Sequence, residues 1–350
     1  MAELFGKKLT KESLMKRVGD ISQVAGLRTI TLRQGRADGV KAVEARTQAL
    51  NFTVLMDRGM DIAQADYKGI PLSYISKTGV CSPMLFEEPG KGFLRNFTAG
   101  LLTTCGLSSF GTPSTDAGET LGLHGRISNI AAENQSVYAE WEGDDYVMRI
   151  RGKMRQSRVF GENITLTREI ETRLLSDSLT IRDTVENCGF NVQPVMLLYH
   201  VNFGYPILDR ETVLVQSKTH VTARDEEAAK GLDTYNVFDE PQPDYDEQVF
   251  YHDMEPDEQG RVTACLFNKK LGDKGLGAYV RFYKQQLPWL CEWKQVGEGE
   301  YVVGLEPSTG FPEGRARARE TGQIVFMQPG EKKDIQIEIG VTQNIDFLIP

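Results

Sequence analysis

Four histidines, His124, His200, His220 and His252, carry all the imidazole chemistry open to this 350-residue chain. His200 follows the apolar run Val195 to Tyr199 and precedes Val201-Asn202-Phe203-Gly204-Tyr205-Pro206, which puts it at a strand end where side chains leave the core. His124 sits in Leu121-Gly122-Leu123-His124-Gly125-Arg126, where flanking glycines let the backbone turn tightly and present the ring in a pocket. Glu306 ends a second apolar run, Tyr301 to Leu305, and begins Glu306-Pro307-Ser308-Thr309-Gly310. A carboxylate at such an edge is partly desolvated, which raises its pKa and makes it a better general base near neutrality. Arg58 in Asp57-Arg58-Gly59 and Arg95 in Leu94-Arg95-Asn96 are candidate donors to hydroxyls or an oxyanion. The competing reading of each histidine is a satisfied core residue, and that of Glu306 is a carboxylate paired with an arginine.

Other chemistries lack their signatures. Gly106-Leu107-Ser108-Ser109-Phe110-Gly111 has Phe110 where a Gly-x-Ser-x-Gly nucleophile turn needs glycine. Gly275-Leu276-Gly277 lacks the third glycine of a dinucleotide fingerprint, and no phosphate-binding Gly-x-x-x-x-Gly-Lys-Ser/Thr occurs. His124 and His200 are far apart with no short His-x-x-x-His core, so neither a metal nor a cofactor is expected. The five cysteines form no Cys-x-x-Cys pair and read as reduced thiols.

The net charge of -9 and the absence of a long Lys/Arg run argue against nucleic-acid and anionic-membrane partners, leaving a small molecule. The charge is concentrated: between Ala223 and Gln259 thirteen Asp/Glu face only Arg224 and Lys230. With Pro241, Pro243 and Pro256 inside it, this stretch reads as a long acidic loop over the sheet ends. His252 and Asp253 lie within it. No apolar run follows the charged N-terminus and none approaches the roughly 20 residues of a membrane span, so the cytoplasm is the expected compartment.

The elements that must position these residues are mostly strands. Leu14, Val18 and Ile21 recur at helical spacing, giving a helical segment over residues 1–25. Beyond it, Val137 to Trp141 and Tyr146 to Ile150 flank a turn at Glu142-Gly143-Asp144-Asp145, a hairpin pattern. Thr165 to Thr172, Ser178 to Val185, Val195 to Val201, Ala278 to Tyr283, Tyr301 to Leu305, Ile324 to Met327 and Ile335 to Val341 continue to the C-terminus without a linker. One all-β domain over residues 26–350 fits better than two domains.

Taken in order, Asp57-Arg58-Gly59-Met60-Asp61-Ile62, Leu121 to Gly125, Tyr199-His200-Val201-Asn202-Phe203-Gly204, Leu305 to Pro312 and Gln328-Pro329-Gly330-Glu331 form a recognisable set. The chain resembles the aldose 1-epimerase (galactose mutarotase-like) superfamily, and within it the DUF4432 branch, from about Val18 to Val341. That resemblance implies a large antiparallel β-supersandwich with an open sugar cleft and a mutarotase activity on a free aldose. It makes His200 the acid that protonates the ring oxygen and Glu306 the base that takes the anomeric proton. It makes His124 and Arg95 substrate-binding residues, and Arg58 joins them as a substrate-binding candidate from its own sequence context. The acidic loop would supply a hydroxyl-gripping carboxylate, chosen among Asp246, Glu247 and Asp253, with His252 nearby. Tyr199-His200-Val201-Asn202-Phe203 and Glu306-Pro307 depart from the family's usual runs at these points. The alternative is a non-catalytic sugar-binding or sensing protein on the same fold. A monomer or weak homodimer is the expected assembly.

Overall fold

The computed structural model describes residues 2–4 and 6–345. Two antiparallel sheets account for most of the chain, and the polypeptide crosses between them repeatedly. The first sheet receives β1 (Gly26–Thr31), β2 (Lys41–Arg46), β3 (Leu50–Leu55), β4 (Asp61–Tyr67) and β5 (Leu102–Leu107). The second takes β6 (Glu133–Glu142), β7 (Asp145–Ser157), β8 (Asn163–Arg173) and β9 (Ser178–Asn187). The chain returns to the first sheet as β10 (Gln193–Gly204), visits the second as β11 (Thr212–Gln216), and adds β12 (Thr219–Ala223) and β13 (Gln248–Met254) to the first. Strands β14 (Arg261–Asn268) and β15 (Leu276–Tyr283) lie in the second, β16 (Trp289–Gly297) and β17 (Glu300–Ser308) in the first, and β18 (Lys332–Thr342) in the second. The spatial orders are β12-β13-β16-β17-β10-β5-β4-β3-β2-β1 and β6-β7-β8-β9-β18-β15-β14-β11. This is the all-β supersandwich expected from the sequence, and every strand read there lies within an observed strand or overlaps one.

Alternation along each strand builds the core. On β10, Leu197, Tyr199, Val201 and Phe203 enter the main hydrophobic cluster, as do Val303 and Leu305 on β17. They meet Ile164, Leu166 and Ile170 of β8 and Ile181 and Val185 of β9 from the facing sheet. The intervening residues of β10 and β17, His200 and Glu306 among them, are thereby aimed at the opposite face of the first sheet.

Inside the sandwich one polar knot ties the two sheets together. Arg168 on β8 lies opposite Asp183 on β9 and donates to it through Nε (2.9 Å) and Nη2 (2.6 Å). Its Nη1 donates across the sandwich to the Gly59 carbonyl (3.1 Å) and to Thr104 Oγ1 (2.8 Å) of β5. The Tyr199 hydroxyl of β10 closes the knot by donating to Asp183 at 2.7 Å. Asp61 stands 3.5 Å from the guanidinium and accepts from the Thr104 amide and hydroxyl; burial, opposed by Arg168, leaves its carboxyl pushed up to about 6. The Asp57-Arg58-Gly59-Met60-Asp61 stretch therefore serves the scaffold.

Two expectations change. The first 25 residues contain a five-residue helix, Lys11–Met15, capped by Thr10, and a separate 3-10 turn, Ile21–Gln23, capped by Asp20. The helix closes when Arg17 N bonds the Leu14 carbonyl at 2.8 Å, so Leu14, Val18 and Ile21 do not share one helix although they pack in one cluster. The acidic stretch is also not a single loop. Gln248–Met254 is a strand in the first sheet, because its alternating residues serve two apolar surfaces: Val249 and Tyr251 one, Met254 the other. Among the described residues, no helix is long and apolar enough to cross a membrane.

Removing Arg168 would strand buried Asp183 beside Asp61 without a counterion. We expect Arg168→Met to lose about 3–5 kcal/mol of stability, read from urea unfolding monitored by circular dichroism. A loss below 1 kcal/mol would contradict the knot's role.

Candidate active site

Strand register brings the acid and base candidates together. Val201 lies opposite Leu305 and Leu198 opposite Ser308, which sets His200 across from Glu306 on the outer face of the first sheet. Their side chains approach to 3.2 Å, His200 Nε2 to Glu306 Oε1, with 5% and 3% of each residue exposed. The approach is not aligned as a hydrogen bond: Glu306 Oε1 and His200 Nδ1 are both buried without partners. Gly304 makes room for the pair. A Cβ there would stand 2.5 Å from Glu306 Oε1 and 3.2 Å from His200 Cε1.

His124 arrives from a loop that only glycine can form. Its amide donates to the Gly111 carbonyl (3.0 Å) and its carbonyl accepts from Gly106 N (3.1 Å). A Cβ on Gly122 would lie 1.9 Å from the Glu88 carbonyl, and one on Gly125 2.2 Å from that of Ser109. The turn read from the sequence is thus real, and it places the His124 ring 5.7 Å from that of His200, centroid to centroid. Phe97 (5.2 Å) and Trp293 (5.3 Å) complete an aromatic box around His200, while Phe93 stacks obliquely on His124 at 5.1 Å.

These groups floor a cavity of about 420 Å³, ample for a monosaccharide. Its walls include Leu94, Leu123, Val249 and Pro312 on the apolar side and Lys91, Arg224 and Glu247 on the polar side. Arg224 and Glu247 are the two ends of the acidic excursion between β12 and β13. Arg224 holds Asp225 through Nε (2.7 Å) and Glu247 through Nη1 (3.1 Å), and the Trp293 indole donates to the other Glu247 oxygen at 2.7 Å. Of the carboxylates left open by the sequence, Glu247 is the one that lines the cavity.

Four sequence candidates lie elsewhere. Arg95 is exposed and sits 3.5 Å from Glu87, because the short 3-10 turn Gly92–Arg95 buries Phe93 and leaves Arg95 outside. Arg58 is 2% exposed and donates to the carbonyls of Cys81 (2.7 Å) and Asn96 (3.1 Å), bracing the Phe93–Phe97 segment from behind. His252 is on the interior face of β13, where its Nε2 meets Glu292 at 3.0 Å. Asp253 pairs with Lys284 at 2.5 Å beyond the cavity. In the opposite direction, Lys91, Arg224 and Gly304 were not singled out from the sequence. For Gly304 the signal was present: a small residue two positions before Glu306 must share its face of the strand.

Desolvation dominates the electrostatics. Burial pushes the Glu306 carboxyl well above the usual carboxylate range, with Glu247 adding to the shift and Arg224 opposing it. Burial, and then His124, pushes His200 well below the usual imidazole range. Both shifts favour the uncharged form of each group. Burial also pushes His124 down to about 4. An imidazole titration followed by ¹⁵N NMR should show His124 neutral above pH 5; a midpoint near 6.5 would refute the desolvated site.

No curated protein matches the chain. Among solved structures, a candidate aldose 1-epimerase from Klebsiella pneumoniae is 25% identical, with a TM-score of 0.87 over 97% of this chain and 88% of that one. A galactose mutarotase-like protein from Clostridium acetobutylicum superposes with a TM-score of 0.62 at 14% identity, over 91% and 99% of the two chains. A candidate aldose 1-epimerase from Escherichia coli K12 gives 0.52 at 15% identity, also over 91% and 99%. At that identity the last two show the fold. The DUF4432 family profile, described as a domain of unknown function, matches residues 37–341, and the chain belongs to that family.

Proposed function

We propose that this protein is a mutarotase, interconverting the α and β anomers of an aldose by acid-base ring opening and reclosure. The observation that carries the reading is the desolvated His200–Glu306 pair, 3.2 Å apart on a cavity floor. The ring oxygen and the anomeric oxygen of a cyclic sugar are bonded to the same carbon. Groups that exchange protons with both must sit almost side by side, and few arrangements of an imidazole and a carboxylate do so.

In the forward direction Glu306 takes the proton of the anomeric hydroxyl as His200 gives one to the ring oxygen. The C1–ring oxygen bond breaks and an open-chain aldehyde forms. Rotation about C1–C2 followed by the reverse transfers closes the ring on the other face. Two protons move in each direction and no atom is gained or lost. Burial favours a protonated Glu306 and a neutral His200, and the 3.2 Å between Glu306 Oε1 and His200 Nε2 puts proton transfer within reach, giving the ionised Glu306 and protonated His200 with which the cycle starts. Glu247, fixed by Trp293 and Arg224, is the proposed grip on a ring hydroxyl, and His124 a second contact.

Glu306→Gln and His200→Asn should each slow anomer exchange by about 10²–10⁴-fold, measured by NMR saturation transfer, while circular dichroism is unchanged. Gly304→Ala should cost on the order of 10²-fold by displacing both groups. If all three variants bind sugar and exchange it at wild-type rates, the catalytic reading fails. The pH profile follows from the directions of the two shifts. It should be flat through neutrality, with its acid limb below the ordinary imidazole range and its alkaline limb above the ordinary carboxylate range. Glu306→Gln should remove the alkaline limb.

A further inference from the structure

Of the charged side chains that line the cavity, one has no ion-pair partner among the described residues, and it is a cation. Lys91 lines the cavity and, among the described residues, has no carboxylate within ion-pairing distance. Its nearest acidic neighbours in sequence are already engaged, Glu87 by Arg95 and Glu88 by Arg126. The backbone around it is pinned: the Gly90 carbonyl accepts from Leu123 N (2.9 Å) and the Lys91 carbonyl from Leu94 N (3.0 Å). Lys91 is thus mounted beside the loop that carries His124. Arg224 stands on the polar wall and uses Nε and Nη1 on Asp225 and Glu247. On the receiving side there is little to spare. Glu247 accepts two hydrogen bonds from protein groups, and Glu306 belongs to the reacting pair.

Another cavity shows the contrast. About 280 Å³ in volume, it is lined by Arg158, Arg315 and Arg319, but these are paired with Glu162, Asp116 and Glu119. Its cations are spent, whereas Lys91 is not. In a chain of net charge -9, a small anion is repelled at long range, so a cavity-lining cation without an ion-pair partner is the group that can hold one.

We infer that the substrate is an aldose with an anionic substituent away from C1, seated against Lys91. This rests on the mutarotase reading for the orientation of the sugar. Phosphate and carboxylate share the required chemistry, so the test includes both: glucose, glucose 6-phosphate and glucuronate, compared by anomer exchange and by binding titrations read from tryptophan fluorescence. One or both anionic sugars should show about tenfold higher kcat/KM and tighter binding than glucose, an advantage that shrinks with added salt. Lys91→Gln should bring the anionic-to-neutral ratio close to one, and Lys91→Glu should invert it. Equal values for all three sugars, or a preference that survives Lys91→Glu, would overturn the inference. The binding titration decides this even if no sugar is turned over, in which case the mutarotase reading alone falls.

Discussion

Adjacent residues of a β-strand must point to opposite faces, and two adjacent residues of β10 show how far that constraint reaches. Tyr199 turns into the sandwich and donates to Asp183, joining the Arg168 knot that holds the two sheets in register. His200 therefore turns outward and meets Glu306, whose own neighbour Leu305 is locked in the same core. The acid-base geometry is thus inherited from the packing of the interior. The side chains on the outer face need no hydrogen-bond network of their own to be placed, and Glu306 Oε1 and His200 Nδ1 indeed lack partners.

Missing partners are expensive in a folded protein unless a ligand supplies them. The His200–Glu306 pair combines burial with orphaned polar atoms, and burial shifts the two groups in opposite directions. In both groups burial outweighs the nearby groups that favour the charged form, Arg224 for Glu306 and Asn202 for His200, an arrangement suited to proton exchange with a ligand in the cavity. The aromatic box of Phe97, His124 and Trp293 maintains the dry surroundings. The acidic excursion has a more limited role than its charge suggests. Its two ends, Arg224 and Glu247, reach the cavity, whereas Glu227 within it pairs with Lys230 at the surface.

Legibility varied with how local the cause was. His200 and Glu306 were visible because each is a polar residue following an apolar run. The strand end expected at His200 is not observed, since β10 continues to Gly204 and β17 likewise runs past Glu306 to Ser308, so alternation rather than strand termination turns both side chains out of the core. His124 was visible because glycines on both sides announce a turn. Arg95 and Arg58 were misplaced because a long cationic side chain goes where tertiary partners draw it: Glu87 at the surface for one, the Asn96 and Cys81 carbonyls for the other. His252 was misplaced because a segment rich in acids and prolines conceals a strand, and one residue of register decides which face a side chain takes.

By itself, the sequence determined the all-β class, the absence of common nucleotide and hydrolase signatures, and the two residues, His200 and Glu306, that meet on the cavity floor. Each of these depends on alternation, run length or a turn signal within a few residues. The tertiary structure alone decided which carboxylate of the acidic stretch faces the cavity, that Gly304 must lack a side chain, and that Lys91 has no counterion among the described residues. Those facts depend on distances between segments far apart in the chain, set by how β10, β16 and β17 align and by which charges have already found partners.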